Sequence, residues 1–194
     1  MSSPTLRLHD LAGRDVIARL ESQKVGTVSD ILFSPHDGRI GAVLVESMGG
    51  LGGLVRQRSA VPGDAVLAVG PDAVIIRDRA SVIEDVGHVD RAGLVSALEV
   101  KGRSVVTDEG VRVGKVHDFQ MDVDDGRVTS YLVSPEPQRG PLDLGLGGGE
   151  ERYKREFSVP VRRDVTVGAD LITVPAALLS ERRKAEGGSG SMKD

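Results

Sequence analysis

"HDGRIGAVLVE" occupies residues 36–46, and "DDGRVTSYLVS" occupies residues 124–134. Both stretches place Asp-Gly-Arg before an alternating apolar run that contains Leu-Val. An Asp-Gly pair beside alternating apolar segments is a strong hairpin signal, because glycine adopts the positive φ that tight turns require. The two stretches therefore predict the same hairpin turn and the same outgoing strand at two places in the chain.

The likeness extends over most of the chain once Gly38 is aligned with Gly126. Three further pairs of stretches match: "KVGTVSD" (24–30) with "RVGKVHD" (112–118), "GRDV" (13–16) with "GRSV" (102–105), and "VLAVGPDAVII" (66–76) with "DVTVGADLITV" (164–174). The last pair is offset by about ten residues more than the first, so the second copy carries an insertion between Ser134 and Val159. The chain is therefore a duplication of a unit of about 75 residues.

The composition favours strands over helices. The 194 residues include 25 Gly and 9 Pro, and Val is abundant, whereas aromatic residues make up only 3%. Valine suits strands, and frequent Gly and Pro mark turns. Gly26 within a strand pattern predicts a β-bulge. Each copy holds five or six short strands, which bury their apolar face best by closing into a small barrel.

The predicted fold class is therefore all-β, with two small β-barrels in tandem. We expect a first barrel over 5–78, a linker over 79–97, a second and more divergent barrel over 98–178, and a disordered tail over 179–194. Short helical segments are expected in the linker and near the C-terminus. The duplication also allows the two barrels to pack about a pseudo-two-fold axis, as the subunits of a dimer would.

The repeated motifs resemble a known family. "LAGRDVIARLESQKVGTVSDILFSPHDGRIGAVLVE", followed by a Gly-rich loop and "AVPGDAVLAVGPDAVII", is similar to a PRC-barrel domain. That family includes the cytoplasmic domain of the photosynthetic reaction-centre H subunit and the C-terminal domain of the ribosome maturation factor RimM. The resemblance implies a PRC-type barrel that acts as an adaptor, and it implies no shared catalytic residue.

Two Gly-rich loops occupy corresponding positions in the copies, at 47–58 and 140–156. Neither carries a phosphate-binding or complete dinucleotide-binding pattern. One interpretation is a pair of flexible barrel loops; the other is a partner-binding surface, since exposed apolar groups often mark interfaces. The candidate partner-binding residues are Met48, Leu51, Leu54, Arg56, Arg58, Leu142, Leu144, Leu146 and Tyr153.

No residue pattern predicts catalysis, a metal site or a cofactor. Cysteine is absent, and "DVDDG" at 122–126 is one residue short of a calcium-loop spacing, so it is interpreted as a solvated turn. The four histidines, His9, His36, His88 and His117, are interpreted as isolated surface residues.

Two charged pairs recur in both copies and are interpreted as structural. Asp30 and Asp118 are expected to bond backbone amides across a turn, and Arg39 and Arg127 to lie over the barrel surface.

The leading hypothesis is a non-enzymatic, cytoplasmic adaptor that binds partner proteins through its barrel loops. The alternatives are an accessory factor of ribosome maturation, and a peripheral subunit or assembly factor of a membrane photosynthetic or electron-transfer complex. The formal net charge of -4 argues against direct nucleic-acid binding. With no apolar span expected, membrane association would require a partner, and a homodimer is compatible with the sequence.

Overall fold

The computed structural model of the chain describes residues 5–49, 55–70, 72–135 and 156–179. The first copy begins with the strand β1 (Thr5–Arg7) and the short helix α1 (Leu8–Leu11). Its other strands are β2 (Asp15–Ala18), β3 (Gln23–Phe33), β4 (Ile40–Gly49), β5 (Val55–Pro62), β6 (Val66–Val69) and β7 (Ala73–Ile76). Two 3-10 turns, Arg79–Ser81 and Val86–His88, interrupt the connection to the second copy.

The second copy repeats this order. It begins with the strand β8 (Val95–Ser96) and the short helix α2 (Ala97–Val100). Its other strands are β9 (Ser104–Thr107), β10 (Arg112–Asp122), β11 (Arg127–Pro135), β12 (Phe157–Pro160), β13 (Thr166–Val167) and β14 (Leu171–Val174). A helical turn follows at 176–179.

The two sheets have equivalent strand orders. One runs β5-β4-β3-β2-β7-β6 and the other runs β12-β11-β10-β9-β14-β13. The pairs β2–β7 and β9–β14 are parallel, and the remaining pairs are antiparallel. The first path starts at β5 and ends at β6, which are joined by only a 3-10 turn at Gly63–Ala65. Because its two ends are neighbours in the chain, the sheet must curl back on itself. The predicted all-β tandem fold is confirmed.

The predicted bulge at Gly26 is present. The register of β2 and β3 passes from Val16↔Gly26 to Ile17↔Lys24, so Val25 is left unpaired. A Cβ on Gly26 would lie 2.5 Å from the carbonyl oxygen of Glu46. Glycine therefore allows strand β4 to approach at the bulge.

The copies exchange their first elements. Strand β1 pairs with β10, in register Leu6↔Met121, and β8 pairs with β3, in register Leu32↔Ser96. Each seven-stranded sheet therefore takes one strand from the other copy. The predicted domain boundaries at 5–78 and 98–178 stay a prediction. They assign each residue to one copy by its position in the sequence, whereas each sheet contains a strand from both copies.

One hydrophobic core runs through both copies. The buried residues packed together include Val16, Ile31 and Val74 of the first copy and Val105, Val116 and Ile172 of the second. The rings of Phe33, Phe119 and Tyr131 form a cluster in this core, with the Phe33 and Phe119 centroids 5.6 Å apart in an edge-to-face arrangement. Because this cluster takes rings from both copies, we expect the two copies to unfold together.

The helical turn expected near the C-terminus is present at 176–179, and Leu179, which the sequence assigned to the tail, is 9% exposed. Short helical turns also occur in the linker region, as expected. The expected disorder of the tail concerns residues 180–194, which lie outside the described part of the chain.

Candidate protein-binding surface

Strands β4 and β5 extend as a two-stranded arm whose outer part is exposed. Along this arm Glu46 pairs with Arg58, and Met48 pairs with Arg56. Side chains alternate between the faces of a strand, so these four residues share one face. Met48 is 66% exposed, and the side chains of Arg56 and Arg58 are 78% and 74% exposed. The arm therefore presents a thioether and two guanidinium groups together.

The charges on this face do not balance. The Glu46 carboxylate lies 3.2 Å from the Arg58 side chain and 3.8 Å from the Arg56 side chain. One carboxylate thus contacts two guanidinium groups. Exposed ion pairs of this kind contribute little to stability. The described side chains of this face carry a net positive charge beside an exposed apolar group. It can accept a partner that offers carboxylates next to an apolar cavity.

Of the predicted partner-binding residues, the structure brings Met48, Arg56 and Arg58 together on this arm. The other six, Leu51, Leu54, Leu142, Leu144, Leu146 and Tyr153, lie outside the described residues. The role of the whole set in binding stays a prediction. Val55, which the sequence analysis did not select, is 55% exposed and adds apolar area at the tip of the arm.

The corresponding position in the second copy carries the opposite charge. Glu156, the residue before β12, corresponds to Arg58 of the first copy. Its carboxylate lies 2.9 Å from the Arg7 guanidinium group and 2.8 Å from the His117 imidazole. Sequence reasoning missed this cluster, although aligning the copies on Val61 and Val159 would have revealed the charge reversal.

Next to this cluster lies a cleft of about 440 Å³. Strand β1 contributes Leu6 and Arg7, β11 contributes Leu132, and β12 contributes Phe157 and Ser158. The cleft exists because β1 of the first copy lies on the sheet of the second. It could therefore not be predicted from either copy alone.

The two recurring aspartates hold the exchanged elements in place. The Asp30 carboxylate accepts hydrogen bonds from the backbone N–H of Leu98 and from the Ser96 hydroxyl, while Asp118 accepts one from the backbone N–H of His9. Both carboxylates bond backbone amides, as predicted, but those amides belong to the other copy as well as to the following residue. The expected bond across a turn was wrong, because the exchange of first elements brings the N–H groups of Leu98 and His9 from the other copy to these carboxylates.

Burial raises the pKa of Asp30 above its usual value, although hydrogen bonds from Ser96, Ile31 and Leu98 oppose this effect. The two aspartates flank a small cavity of about 120 Å³ between the copies. Its other lining residues include Leu8, Val28, Ala97 and Phe119. The mainly apolar lining explains why the charged form of Asp30 is disfavoured.

The interpretation of the histidines as isolated was wrong for three of them, including His88, which lies 3.4 Å from Asp85. His9 pairs with Asp118 at 3.0 Å and also lies 3.1 Å from Asp10, and His117 pairs with Glu156. Asp118 is distant from His9 in the sequence, and Glu156 is distant from His117, so spacing along the chain could not reveal these two pairs. Two titratable clusters thus form, one of His9 with Asp10 and Asp118 and one of Glu156 with Arg7 and His117.

The "DVDDG" segment forms a turn, as expected. The Asp122 carboxylate accepts hydrogen bonds from the backbone N–H groups of Asp124 and Asp125, at 2.9 and 3.1 Å. Its carboxylate oxygen is thereby used by the turn itself. Within 5–49, 55–70, 72–135 and 156–179, no group of three or more His, Cys, Asp or Glu residues is placed to hold a metal ion.

No helix in the described part of the chain is long and apolar enough to cross a membrane. No curated protein matches the sequence. A family model, that of the PRC-barrel domain, matches residues 4–83 and again residues 93–178. These two matches cover most of the chain and coincide with the two copies that share one strand order. The chain therefore belongs to the PRC-barrel family, as a tandem of two such domains.

Proposed function

We propose that this protein is a non-enzymatic adaptor that binds a partner protein through the arm formed by β4 and β5. The observation that carries the proposal is the shared face of Met48, Arg56 and Arg58, which is both exposed and incompletely neutralised. An exposed apolar side chain flanked by arginines matches the composition of protein interfaces, where Met and Arg are enriched. We also propose a cytoplasmic location, on the basis of the ordinary charged composition and the lack of cysteine.

The chemistry of the arm defines the partner surface. Since Glu46 is the one carboxylate among the described residues that contacts these two arginines, the partner is expected to supply at least one carboxylate. An apolar cavity would cover Met48, whose flexible side chain adapts to irregular surfaces. Such contacts make the association rate sensitive to ionic strength.

The proposal is tested by affinity capture with the tagged full-length chain from native lysate, with the membrane fraction kept separate and with ribonuclease present or absent. The double variant Arg56→Glu/Arg58→Glu should lose the captured protein. The control is Arg162→Glu/Arg163→Glu, which makes the same charge change on an exposed loop of the second copy and should retain it.

The captured protein also separates the alternatives. A ribosomal protein retained after ribonuclease would favour a role in ribosome maturation, and subunits of a membrane electron-transfer complex would favour a peripheral role there. If the arm variant captures the same protein as the wild type, the arm is not the binding surface. If neither fraction yields a specific protein, the adaptor function is wrong.

A further inference from the structure

The outer edge of β5 is covered by the linker between the copies. The backbone N–H of Ala60 donates to the carbonyl oxygen of Ile83, and the N–H of Ile83 donates to that of Ala60, both at 2.8 Å. The 3-10 turn Val86–His88 then contacts β5 further along. Ala60 is fully buried as a result. The linker thus acts as an additional antiparallel partner for the first sheet.

In the second copy, no described residue covers the same edge. Ser158 occupies the place of Ala60, since Leu132↔Ser158 in one sheet corresponds to Leu44↔Ala60 in the other. The backbone N–H and carbonyl of Ser158 therefore point away from β11, as those of Ala60 point away from β4. Among the described residues none pairs with Ser158 on this side, and Ser158 is exposed. An unpaired strand edge is a template for another strand.

The charges along the two edges are reversed. The Ala60↔Ile83 bridge is isolated, and Asp85, two residues after Ile83, caps the 3-10 turn Val86–His88. Counted in the same antiparallel register, Asp85 corresponds to Arg58, whose side chain contacts Glu46. The counterpart of Arg58 is Glu156, and Asp10 lines the same cleft. Among the described residues that line the cleft, two carboxylates, Glu156 and Asp10, accompany one arginine, Arg7, and the same carboxylates also contact His117 and His9. The excess of carboxylates over arginine favours an occupant with a basic residue at this position.

We propose that the outer edge of β12 binds an extended segment of a partner protein as an added antiparallel strand. In this segment an aliphatic residue pairs with Ser158, as Ile83 pairs with Ala60, and a basic residue two positions later lies opposite Glu156. The adjoining cleft, bounded by Leu6 and Leu132, has room for neighbouring side chains. This mode of recognition takes affinity from backbone hydrogen bonds and specificity from the side chains.

The occupant is a partner rather than the C-terminal segment 180–194 of this chain. That segment, "SERRKAEGGSGSMKD", contains no Val, Ile or Leu to take the position of Ile83. It is also rich in Gly and Ser, which form strands poorly. The site is separate from the arm of β4 and β5, so it does not depend on the function proposed for that arm.

The linker itself provides the probe. Two synthetic peptides are titrated into the ¹⁵N-labelled full-length protein: "RASVIEDVG", which is residues 79–87, and the same peptide with Asp85→Lys. The Lys peptide should shift the amide signals of Glu156 and Ser158 and bind about fivefold more tightly than the native sequence, because its charge suits Glu156. Shifts confined to other residues would overturn the proposal.

Substitutions at Ser158 test the backbone contact. Ser158→Pro removes the outward N–H at an edge position where proline is tolerated, and it should weaken binding of the Lys peptide by about tenfold or more. Ser158→Ala keeps the N–H and should bind as the wild type does. Equal binding by the Pro and Ala variants would contradict the added strand.

Two further variants keep the test decisive if Ser158→Pro folds poorly. Glu156→Lys should reverse the preference, so that the native linker peptide binds better than the Lys peptide; an unchanged preference would overturn the predicted register. If a chain that ends at residue 179 binds the Lys peptide and the full chain does not, the C-terminal segment occupies the edge and the proposal of a partner is wrong.

Discussion

The backbone N–H of Val128 donates a 2.9 Å hydrogen bond to the carbonyl oxygen of Gly38, which joins the two repeated Asp-Gly-Arg turns. Arg39 and Arg127 form a β-bridge at the same place. The Arg39 side chain is exposed and that of Arg127 is half-buried, in agreement with the expectation that they lie over the barrel surface, but the backbone bridge between them was not predicted. The repeated phrase forms a hairpin turn within each copy and also the contact between the copies.

Gly38 and Gly126 offer a matched pair for measuring this contact. Both have positive φ, 71° and 60°, so alanine at either position should cost about 1–2 kcal/mol in backbone strain. A Cβ on Gly38 would also overlap the Val128 carbonyl, whereas a Cβ on Gly126 meets no atom within 4 Å. Gly38→Ala should therefore lower the free energy of unfolding by about 1–3 kcal/mol more than Gly126→Ala. Urea denaturation measures both, and equal losses would show that the turns do not press together.

Replacing Asp30 should change how stability depends on pH. Its folded-state pKa is raised above 3.8, chiefly by burial, so the folded state binds a proton more tightly than the unfolded state does. The stability from this effect is fully present below 3.8 and is lost as the pH rises through the raised pKa. Asp30→Asn cannot ionise, so its stability relative to the wild type should increase over that interval. Denaturation at a series of pH values measures the difference.

Asp37→Asn is the control with the opposite sign. A hydrogen bond from the Ser34 hydroxyl, followed by one from the Arg39 backbone, lowers the pKa of Asp37. This stabilisation is present above the unfolded pKa and is lost as the pH falls through the folded one. Asp37→Asn should therefore be the less stable protein at neutral pH and approach the wild type in acid. If the Asp30 and Asp37 variants follow the same pH trend, the assigned environments are wrong.

Tyr131→Phe should stabilise the protein. The Tyr131 hydroxyl is buried and has no hydrogen-bond partner among the described residues, and burial raises its pKa. Removing an unsatisfied buried hydroxyl relieves a desolvation cost, so the free energy of unfolding should rise by about 1 kcal/mol. The ring contacts with Phe33 and Phe119 are kept. A loss of stability in thermal unfolding would mean that the hydroxyl is satisfied in solution.

Removing either of two equivalent arginines should loosen its barrel. The Arg14 guanidinium group donates to the carbonyl of Gly70, and that of Arg103 donates to the carbonyl of Gly168. Each bond links the start of a copy to its last hairpin turn. Arg14→Met and Arg103→Met keep the apolar stem and should each cost about 1–2 kcal/mol, since bonds to charged donors are among the stronger ones. Hydrogen exchange at Ala73 and Leu171, beside the two turns, should increase in the matching variant only.

Local patterns were enough to predict the strands and turns. The Asp-Gly pairs, the alternating apolar runs and the bulge at Gly26 each depend on neighbours within a few residues, where backbone preference and side-chain period act. The matching order of motifs also predicted that one fold occurs twice. The resemblance to PRC-barrel domains, confirmed by the family match, rests on these same motifs.

The contacts between the copies could not be predicted in this way. Asp118 bonds to His9, and Glu156 bonds to Arg7, because the first elements of the copies are exchanged. Ala60 bonds to Ile83 because the linker covers that edge of β5. The first two pairs join residues more than one hundred positions apart. No local spacing encodes such a contact; it appears only when both sheets are in place.

The sequence by itself determined that the chain forms two barrels with the same strand order. Each copy carries its own alternating apolar runs and its own Asp-Gly turn. The tertiary structure alone decided how they differ: the linker pairs with Ala60, while the equivalent edge at Ser158 has no partner in the described part of the chain. The physical reason is that an edge's backbone groups must find donors and acceptors in space. Which segment reaches them depends on the path of the whole chain.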